Sequence, residues 1–120
     1  MISGMADLPH APNTDTQATY TATDGSTHLM TAAPGAGKRI AICSLIISNL
    51  SATSGQVVLN SGSTTICPCP APTDGVNGGM VHEFLKALRC NENEAFNVVA
   101  ANGISVTYTG YIEPIPNNQA

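Results

Sequence analysis

The stretch "NGISVTYTGYIE" at residues 102–113 decides the fold class of this chain. From residue 104 onward, its side chains alternate between an apolar row and a row rich in hydroxyl groups. The apolar row is Ile104, Val106, Tyr108 and Ile112, and the hydroxyl row is Ser105, Thr107, Thr109 and Tyr111. A two-residue alternation of this kind predicts a β-strand whose apolar face lies on a core.

The sequence before this strand divides into short strand-like segments separated by turns. The predicted strands cover residues 18–23, 26–33, 39–50, 55–62, 63–69, 80–90, 94–101 and 103–113. Residues 80–90 also fit one face of a helix, but a strand is favoured because the neighbouring segments are strands. About eight antiparallel strands, with a turn every ten residues or so, predict an all-β sandwich or a small barrel.

Three turns connect these strands in the predicted fold. Asp24-Gly25 and Asn102-Gly103 are typical of hairpin turns. Asn60–Gly62 is expected to join the fourth predicted strand to the fifth. Each turn is therefore expected to connect two strands that pair with each other.

The stretch "APGAGKR" at residues 33–39 is similar to the end of a phosphate-binding loop, whose pattern is G-x-x-x-x-G-K-[ST]. Two required residues differ. Ala32 stands where the first glycine belongs, and Arg39 follows Lys38 in place of a serine or threonine. The residues that follow are rich in β-branched side chains, which favours a strand over the required helix. We therefore interpret this stretch as a tight turn with solvated basic side chains.

Composition and charge exclude several classes of partner. The chain has 120 residues, enough for one domain, and a formal net charge of −4 with only four Lys and Arg residues. Nucleic-acid binding relies on several phosphate contacts from basic side chains, so no nucleic-acid partner is expected. The longest apolar run, residues 40–47, is interrupted by Ser44 and is too short to span a bilayer, so no membrane partner is expected. The first residues lack the basic start and apolar stretch of a secretory signal, so we expect the protein to be made and used from the cytoplasm, or to be delivered by cell lysis.

The two ends of the chain lack the alternation of its middle. Residues 1–17 contain Pro9, Pro12 and several small polar residues, and they are predicted to form an extended N-terminal arm. Residues 18–113 form the predicted β-sandwich domain, and residues 114–120 form a C-terminal tail. An arm of this kind either stays unbound or becomes ordered on a partner.

No constellation of side chains indicates catalysis or a cofactor. The four cysteines are Cys43, Cys67, Cys69 and Cys90. The spacing of Cys67 and Cys69 is tighter than that of the pairs that hold structural zinc, so reduced cysteines acting as small apolar residues are favoured. Bridged or metal-bound states stay open. No G-x-S-x-G nucleophile motif is present. We therefore expect no enzymatic activity, no metal and no cofactor.

Two stretches resemble small virion proteins of tailed bacteriophages. The first is "APGAGKRIAICSLIISNLSATSGQVVLNSGSTTI", which begins at residue 33, and the second is "NENEAFNVVAANGISVTYTGYIE" at residues 91–113. In those proteins a G-K-R/K-I start leads into S-L-x-x-S-N, and an E-A-L/F-N start leads to V-x-V-x-Y. Among them are head decoration, or cement, proteins with a jelly-roll fold. The resemblance therefore implies a jelly-roll-like β-sandwich of about eight strands.

The resemblance also implies a role. A decoration protein is a structural virion protein that binds the major capsid protein on the capsid exterior, as a homodimer or homotrimer, after assembly in the host cytoplasm. We expect capsid contacts from the arm and tail, through Met5, Leu8, Pro9, Pro12, Ile112, Pro114, Ile115 and Pro116. We expect self-association along the strand at 39–50, through Ile40, Ile42, Leu45 and Ile47.

Two other functions stay open. A head-fibre or tail adhesin would share the sandwich, and it would bind a receptor glycan through its tyrosines and the loop at 70–80. A small cupin-like metal-binding protein or enzyme would place His28 and His82 together, with Glu83 or a cysteine. A glycan-binding assay and a metal analysis distinguish these functions from decoration.

Overall fold

The computed structural model describes residues 14–51, 55–71 and 78–115, which form eight β-strands and no helix. The strands are β1 (Thr14–Thr21), β2 (Thr27–Thr31), β3 (Lys38–Asn49), β4 (Gly55–Ser61), β5 (Thr64–Ala71), β6 (Gly78–Arg89), β7 (Phe96–Ala100) and β8 (Ile104–Pro114). The prediction of an all-β chain is confirmed, and so is a strand, not a helix, at residues 80–90. Within the described ranges no helix is long and apolar enough to cross a membrane.

The strands form two four-stranded antiparallel sheets. Sheet I has the order β1-β8-β3-β6, and sheet II has the order β2-β7-β4-β5. Pairing is nested along the chain: β1 pairs with β8, β2 with β7, β3 with β6, and β4 with β5. A long hairpin rolled into two packed sheets has this pairing, and it is the jelly-roll arrangement. The prediction of an antiparallel, jelly-roll-like sandwich is confirmed.

Two of the three predicted hairpin turns connect the sheets instead of closing hairpins. Asp24-Gly25 lies between β1 and β2, and Asn102-Gly103 lies between β7 and β8, so each turn carries the chain from one sheet to the other. The hairpin assignment was wrong at both places, because turn residues set the bend of the chain but not the partner of the next strand. The turn at Asn60–Gly62 does join two paired strands, β4 and β5.

Strand β1 begins four residues earlier than predicted. Thr14–Gln17 were assigned to the N-terminal arm, but they pair with residues 109–112 of β8. The sequence "TDTQ" is polar throughout, so it carries no alternation that would have marked it as a strand. Residues 1–13 and 116–120, which make up most of the predicted arm and tail, lie outside the described residues.

The core lies between the two sheets and contains the apolar row of β8. Ile104, Val106 and Tyr108 are buried there, and Ile112 packs at its rim. Phe96 of β7 meets Tyr108 edge-to-face, with ring centroids 4.8 Å apart, which is a favoured aromatic geometry. The alternation that predicted this strand therefore also predicted which of its side chains enter the core.

A β-bulge interrupts sheet I at Cys43. In the pairing with β8, Ile42 lies opposite Gly110 and Ser44 opposite Thr109, so Cys43 is an extra residue on β3. A Cβ atom on Gly110 would overlap the carbonyl oxygen of Ala41, so the two strands approach this closely only with glycine there. A bulge of this kind bends the strand and disrupts the hydrogen-bond ladder locally.

Candidate functional site

The outer face of sheet I carries a ladder of hydroxyl groups. The Thr19 and Thr107 hydroxyls lie 2.9 Å apart, those of Thr21 and Ser105 lie 2.6 Å apart, and those of Ser44 and Thr109 also form a hydrogen bond. Each pair joins neighbouring strands across the sheet. The ladder satisfies part of its own hydrogen-bonding capacity and carries no charge, so it can be covered by another protein at low desolvation cost.

Beside the ladder lies a small exposed apolar patch, which consists of Ile46, Val81 and Leu85. Ile46 of β3 is 49% exposed, and its cross-strand partner Val81 of β6 is 64% exposed. Glu83 and then Leu85 follow at alternate positions on the same face of β6, and Leu85 is fully exposed. Because β6 is the last strand of sheet I, the patch lies at one edge of the sheet.

The predicted self-association residues are not on this surface. All four side chains are at most 1% exposed and lie in the core: Ile40, Ile42, Leu45 and Ile47. The prediction is wrong for a physical reason. The bulge at Cys43 shifts the two-residue alternation by one position, so apolar residues on both sides of it point inward. An unbroken strand would have placed two of the four on the outer face.

Only some of the predicted capsid-contact residues lie among the residues that the structure describes. Ile112, Pro114 and Ile115 are partly buried at the end of β8, and the amide of Ile115 donates a 2.8 Å hydrogen bond to the carbonyl of Gly37. Five further predicted contacts lie outside the described residues: Met5, Leu8, Pro9, Pro12 and Pro116. Neither group is tested by the structure, so these contacts remain predictions.

The glycine-rich loop at residues 33–39 is closed by the protein's own side chains. The Gly37 amide donates to a carboxylate oxygen of Glu92 at 2.8 Å, and the Gly35 amide donates to the side-chain oxygen of Asn93 at 2.9 Å. Both glycines have positive φ, at 79° and 111°, which suits a tight turn. The amides that a phosphate would need are therefore occupied, in agreement with the interpretation as a turn.

The thiols show no sign of an assembled metal site. Cys67 and Cys69 lie on one face of β5 with their sulfur atoms 3.6 Å apart. Burial raises the pKa of Cys69 to about 12 and that of Cys90 to about 11, so both are protonated near neutral pH. Among the described residues, no group of three or more His, Cys, Asp or Glu side chains could hold a metal ion.

The two histidines of the cupin-like alternative are not brought together. His28 lies on β2 in sheet II, where its ring stacks on Tyr20 at a centroid distance of 3.6 Å. His82 lies on β6 in sheet I and stacks on Phe84 at 6.3 Å. Each imidazole packs against its own aromatic neighbour, and the two imidazoles lie in different sheets. The described residues therefore offer no shared histidine site.

A charged cluster lies at the end of sheet I where β8 finishes. One carboxylate oxygen of Glu113 accepts hydrogen bonds from the Nε–H groups of Arg39 and Arg89, both at 2.6 Å. Burial alone would raise the pKa of Glu113, but the hydrogen bonds and charges of Arg89 and Arg39 outweigh it and hold the pKa below its ordinary value. The cluster therefore stays ionised at neutral pH and links β3, β6 and β8.

The start of β1, the neighbouring residues of β8 and the bulge of β3 line an open cavity of about 500 Å³ on the outer face of sheet I. Its lining residues are Asp15, Thr16, Gln17, Cys43, Thr109, Gly110 and Tyr111. Sequence reasoning missed this cavity, because Asp15 and Gln17 were assigned to the arm. The available signal was Gly110, which interrupts the alternation of β8; a glycine inside a strand often marks a bulge or a close approach.

Comparison with protein-family models and with curated proteins finds no match to this chain.

Proposed function

We propose that this protein is a virion structural protein: a decoration, or cement, protein that binds the outer surface of a phage head and bridges neighbouring capsomers. The observation that carries the proposal is the position of the two chain ends. Thr14 at the start of β1 lies opposite Ile112 near the end of β8, so residues 1–13 and 116–120 attach to the same end of sheet I. Two segments that leave one end can contact one partner surface together.

The stretches that resemble phage virion proteins support the proposal through their place in the fold. They include β3 and β4 in the first stretch and β7 and β8 in the second. These are the two central strands of each sheet. The resemblance therefore covers the framework of the sandwich. A jelly-roll hosts many functions, but capsid proteins are prominent among them.

The surface of the described chain suits permanent contact with protein. The side chains of the hydroxyl ladder and of the apolar patch carry no charge, although the exposed Glu83 lies between Val81 and Leu85. The ladder and patch side chains therefore do not repel the same side chains of a second copy. We assign the apolar patch to self-association, because a homodimer uses the same surface on both subunits and so needs one that does not repel itself.

Cementing a shell requires many weak contacts acting together. A copy that is bound to one capsomer is held close to the next, so its second contact forms at a high effective concentration. Separation of the capsomers then has to break both contacts. Extended terminal segments suit this role, because they cover a large partner area with few residues.

Co-sedimentation with phage heads depleted of the protein tests the proposal. We expect the full chain to bind and to reach saturation, and a chain without residues 1–12 to reach lower occupancy. A chain without residues 117–120 tests the tail in the same way. Leu29→Asp, an exposed position on sheet II, serves as the control and should bind as the unaltered chain does. Failure of the full chain to bind at all would overturn the proposal.

A further inference from the structure

We propose that the cavity between β1, β8 and the bulge of β3 binds a saccharide. Its volume of about 500 Å³ falls within the range of small-molecule sites, roughly 300–1,000 Å³. It is formed by two strands that pair with each other and by a bulge, a feature that is frequent beside binding sites. The proposal does not depend on attachment to a capsid, because the described part of one chain forms the cavity.

The polar groups of the cavity match a ligand with several hydroxyl groups. Asp15 offers a carboxylate that can accept from two neighbouring hydroxyls, and Gln17 offers both a donor and an acceptor. The two residues lie on the same outward side of β1, opposite Tyr111 and Thr109 of β8. Hydroxyls of a sugar ring lie close together and each can donate and accept, so they fit such a mixed set.

Tyr111 supplies the apolar complement that a sugar ring requires. Tyr111 of β8 lies in the part of the strand that pairs with β1 on one side and with β3 on the other. Its backbone is therefore fixed before a ligand arrives, which lowers the entropy cost of binding. The face of the Tyr111 ring can pack on the C–H groups of a pyranose, while the phenol hydroxyl remains able to form hydrogen bonds.

Other ligand classes fit the same cavity less well. The lining has one carboxylate and no Lys or Arg, so a nucleotide phosphate would meet repulsion. An apolar ligand would cover the polar side chains of Asp15 and Gln17 without giving them hydrogen-bond partners. Glycoside hydrolysis normally uses a pair of carboxylates, whereas the described lining holds one, Asp15. The geometry therefore indicates binding of the sugar without cleavage.

The cavity and the apolar patch are centred on opposite edges of sheet I and meet only on β3. The cavity lies at β1 and β8 and reaches Cys43 of β3, whereas the patch begins at Ile46 of β3 and extends along β6. β1 and β6 are three strand spacings apart, about 14 Å at roughly 4.8 Å per spacing. A second copy that covers the patch can therefore leave the cavity open. Several copies would then present several cavities, so weak binding at each one would add up on a glycan-rich surface.

Saturation-transfer NMR on the purified full chain tests this proposal. The probes are glucose, galactose, mannose, N-acetylglucosamine and rhamnose, each at millimolar concentration, together with inorganic phosphate. We expect at least one sugar to bind and phosphate not to bind. Asp15→Asn and Gln17→Ala should weaken the binding about tenfold, as expected for loss of one strong hydrogen bond in each case. Asp24→Asn, an exposed aspartate in the β1–β2 connection, should leave it unchanged.

Protection of a thiol gives a second readout with an internal control. Cys43 lines the cavity, and Cys67 is similarly part-exposed on β5 in the other sheet. A bound sugar should slow the alkylation of Cys43 by iodoacetamide and leave that of Cys67 unchanged. The proposal is overturned if no sugar binds, if phosphate binds equally well, or if Asp24→Asn weakens binding as much as Asp15→Asn does.

Discussion

Ile46 of β3 lies directly opposite Val81 of β6 on the outer face of sheet I, and both side chains are exposed. Cross-strand apolar pairs usually stabilise a sheet by burying each other's surface. This pair retains about half or more of its accessible surface, and Leu85 is a third exposed apolar side chain on the same face of β6, beyond Glu83. An exposed apolar patch at a sheet edge is typical of an interface, which is why we assign it to a second copy of the chain.

Val81→Asp or Leu85→Asp should shift the protein toward the monomer. A charge on each of two facing patches would be brought together and desolvated in the dimer, but it would remain hydrated in the monomer. Native mass spectrometry across a dilution series measures the shift. The matched control is Leu29→Asp on sheet II, which introduces the same charge at another exposed leucine. An unaltered chain that is monomeric at every concentration would contradict the assignment.

Gly110→Ala should destabilise the fold by about 1–3 kcal/mol, the usual cost of overpacking. An added Cβ would overlap the Ala41 carbonyl oxygen, and it could not move away because sheet pairing fixes the backbone of both residues. Urea unfolding measures the change. Gly25→Ala is the control, because nothing lies within 4 Å of the position that its Cβ would take. Equal stability of the two variants would mean that the bulge is not held as tightly as described.

The Arg39–Glu113–Arg89 cluster should make stability depend on acid pH. The folded-state pKa of Glu113 lies below its unfolded value, so the unfolded state binds the proton more readily. The contribution of Glu113 to the free energy of unfolding is fully present above its unfolded-state pKa. It is lost as the pH falls through its folded-state pKa. Urea unfolding at a series of pH values downward from neutral should show this loss, and Glu113→Gln should reduce its slope. Glu83→Gln, at an exposed position on β6, is the control that removes the same charge.

The four cysteines should react in two classes with a thiol reagent at neutral pH. Cys43 and Cys67 are partly exposed and should react in the folded protein. Cys69 and Cys90 are buried, and their raised pKa values, about 12 and about 11, keep them in the unreactive thiol form. They should react only after unfolding in denaturant. Rapid reaction of all four cysteines in the native protein would contradict the described core.

The fold class could be predicted from the sequence because alternation is a local property. In β8 it identified the strand and three of its core residues, Ile104, Val106 and Tyr108. Sheet partners could not be predicted in the same way. Asp24-Gly25 and Asn102-Gly103 bend the chain as expected, but whether a turn closes a hairpin or crosses between sheets is decided by the packing of the whole sandwich.

The surface features were harder to predict than the core. The bulge at Cys43 is one residue long, yet it reversed the expected orientation of half of β3 and so misplaced the self-association surface. The cavity depends on Asp15 and Gln17, in a polar stretch without any periodic signal, meeting Tyr111 from the far end of the chain. Such a contact between distant segments follows from strand pairing, which the sequence pattern does not specify.

The most direct test of the decoration function measures, in one sample, how many copies bind and how far they stabilise the head against heat. Purified full-length protein is added in increasing amounts to depleted phage heads, and the copies bound and the temperature of DNA release are measured together. The account predicts that the release temperature rises with occupancy and stops rising when the sites are filled. Filled sites with an unchanged release temperature, or no binding at any concentration, would contradict it.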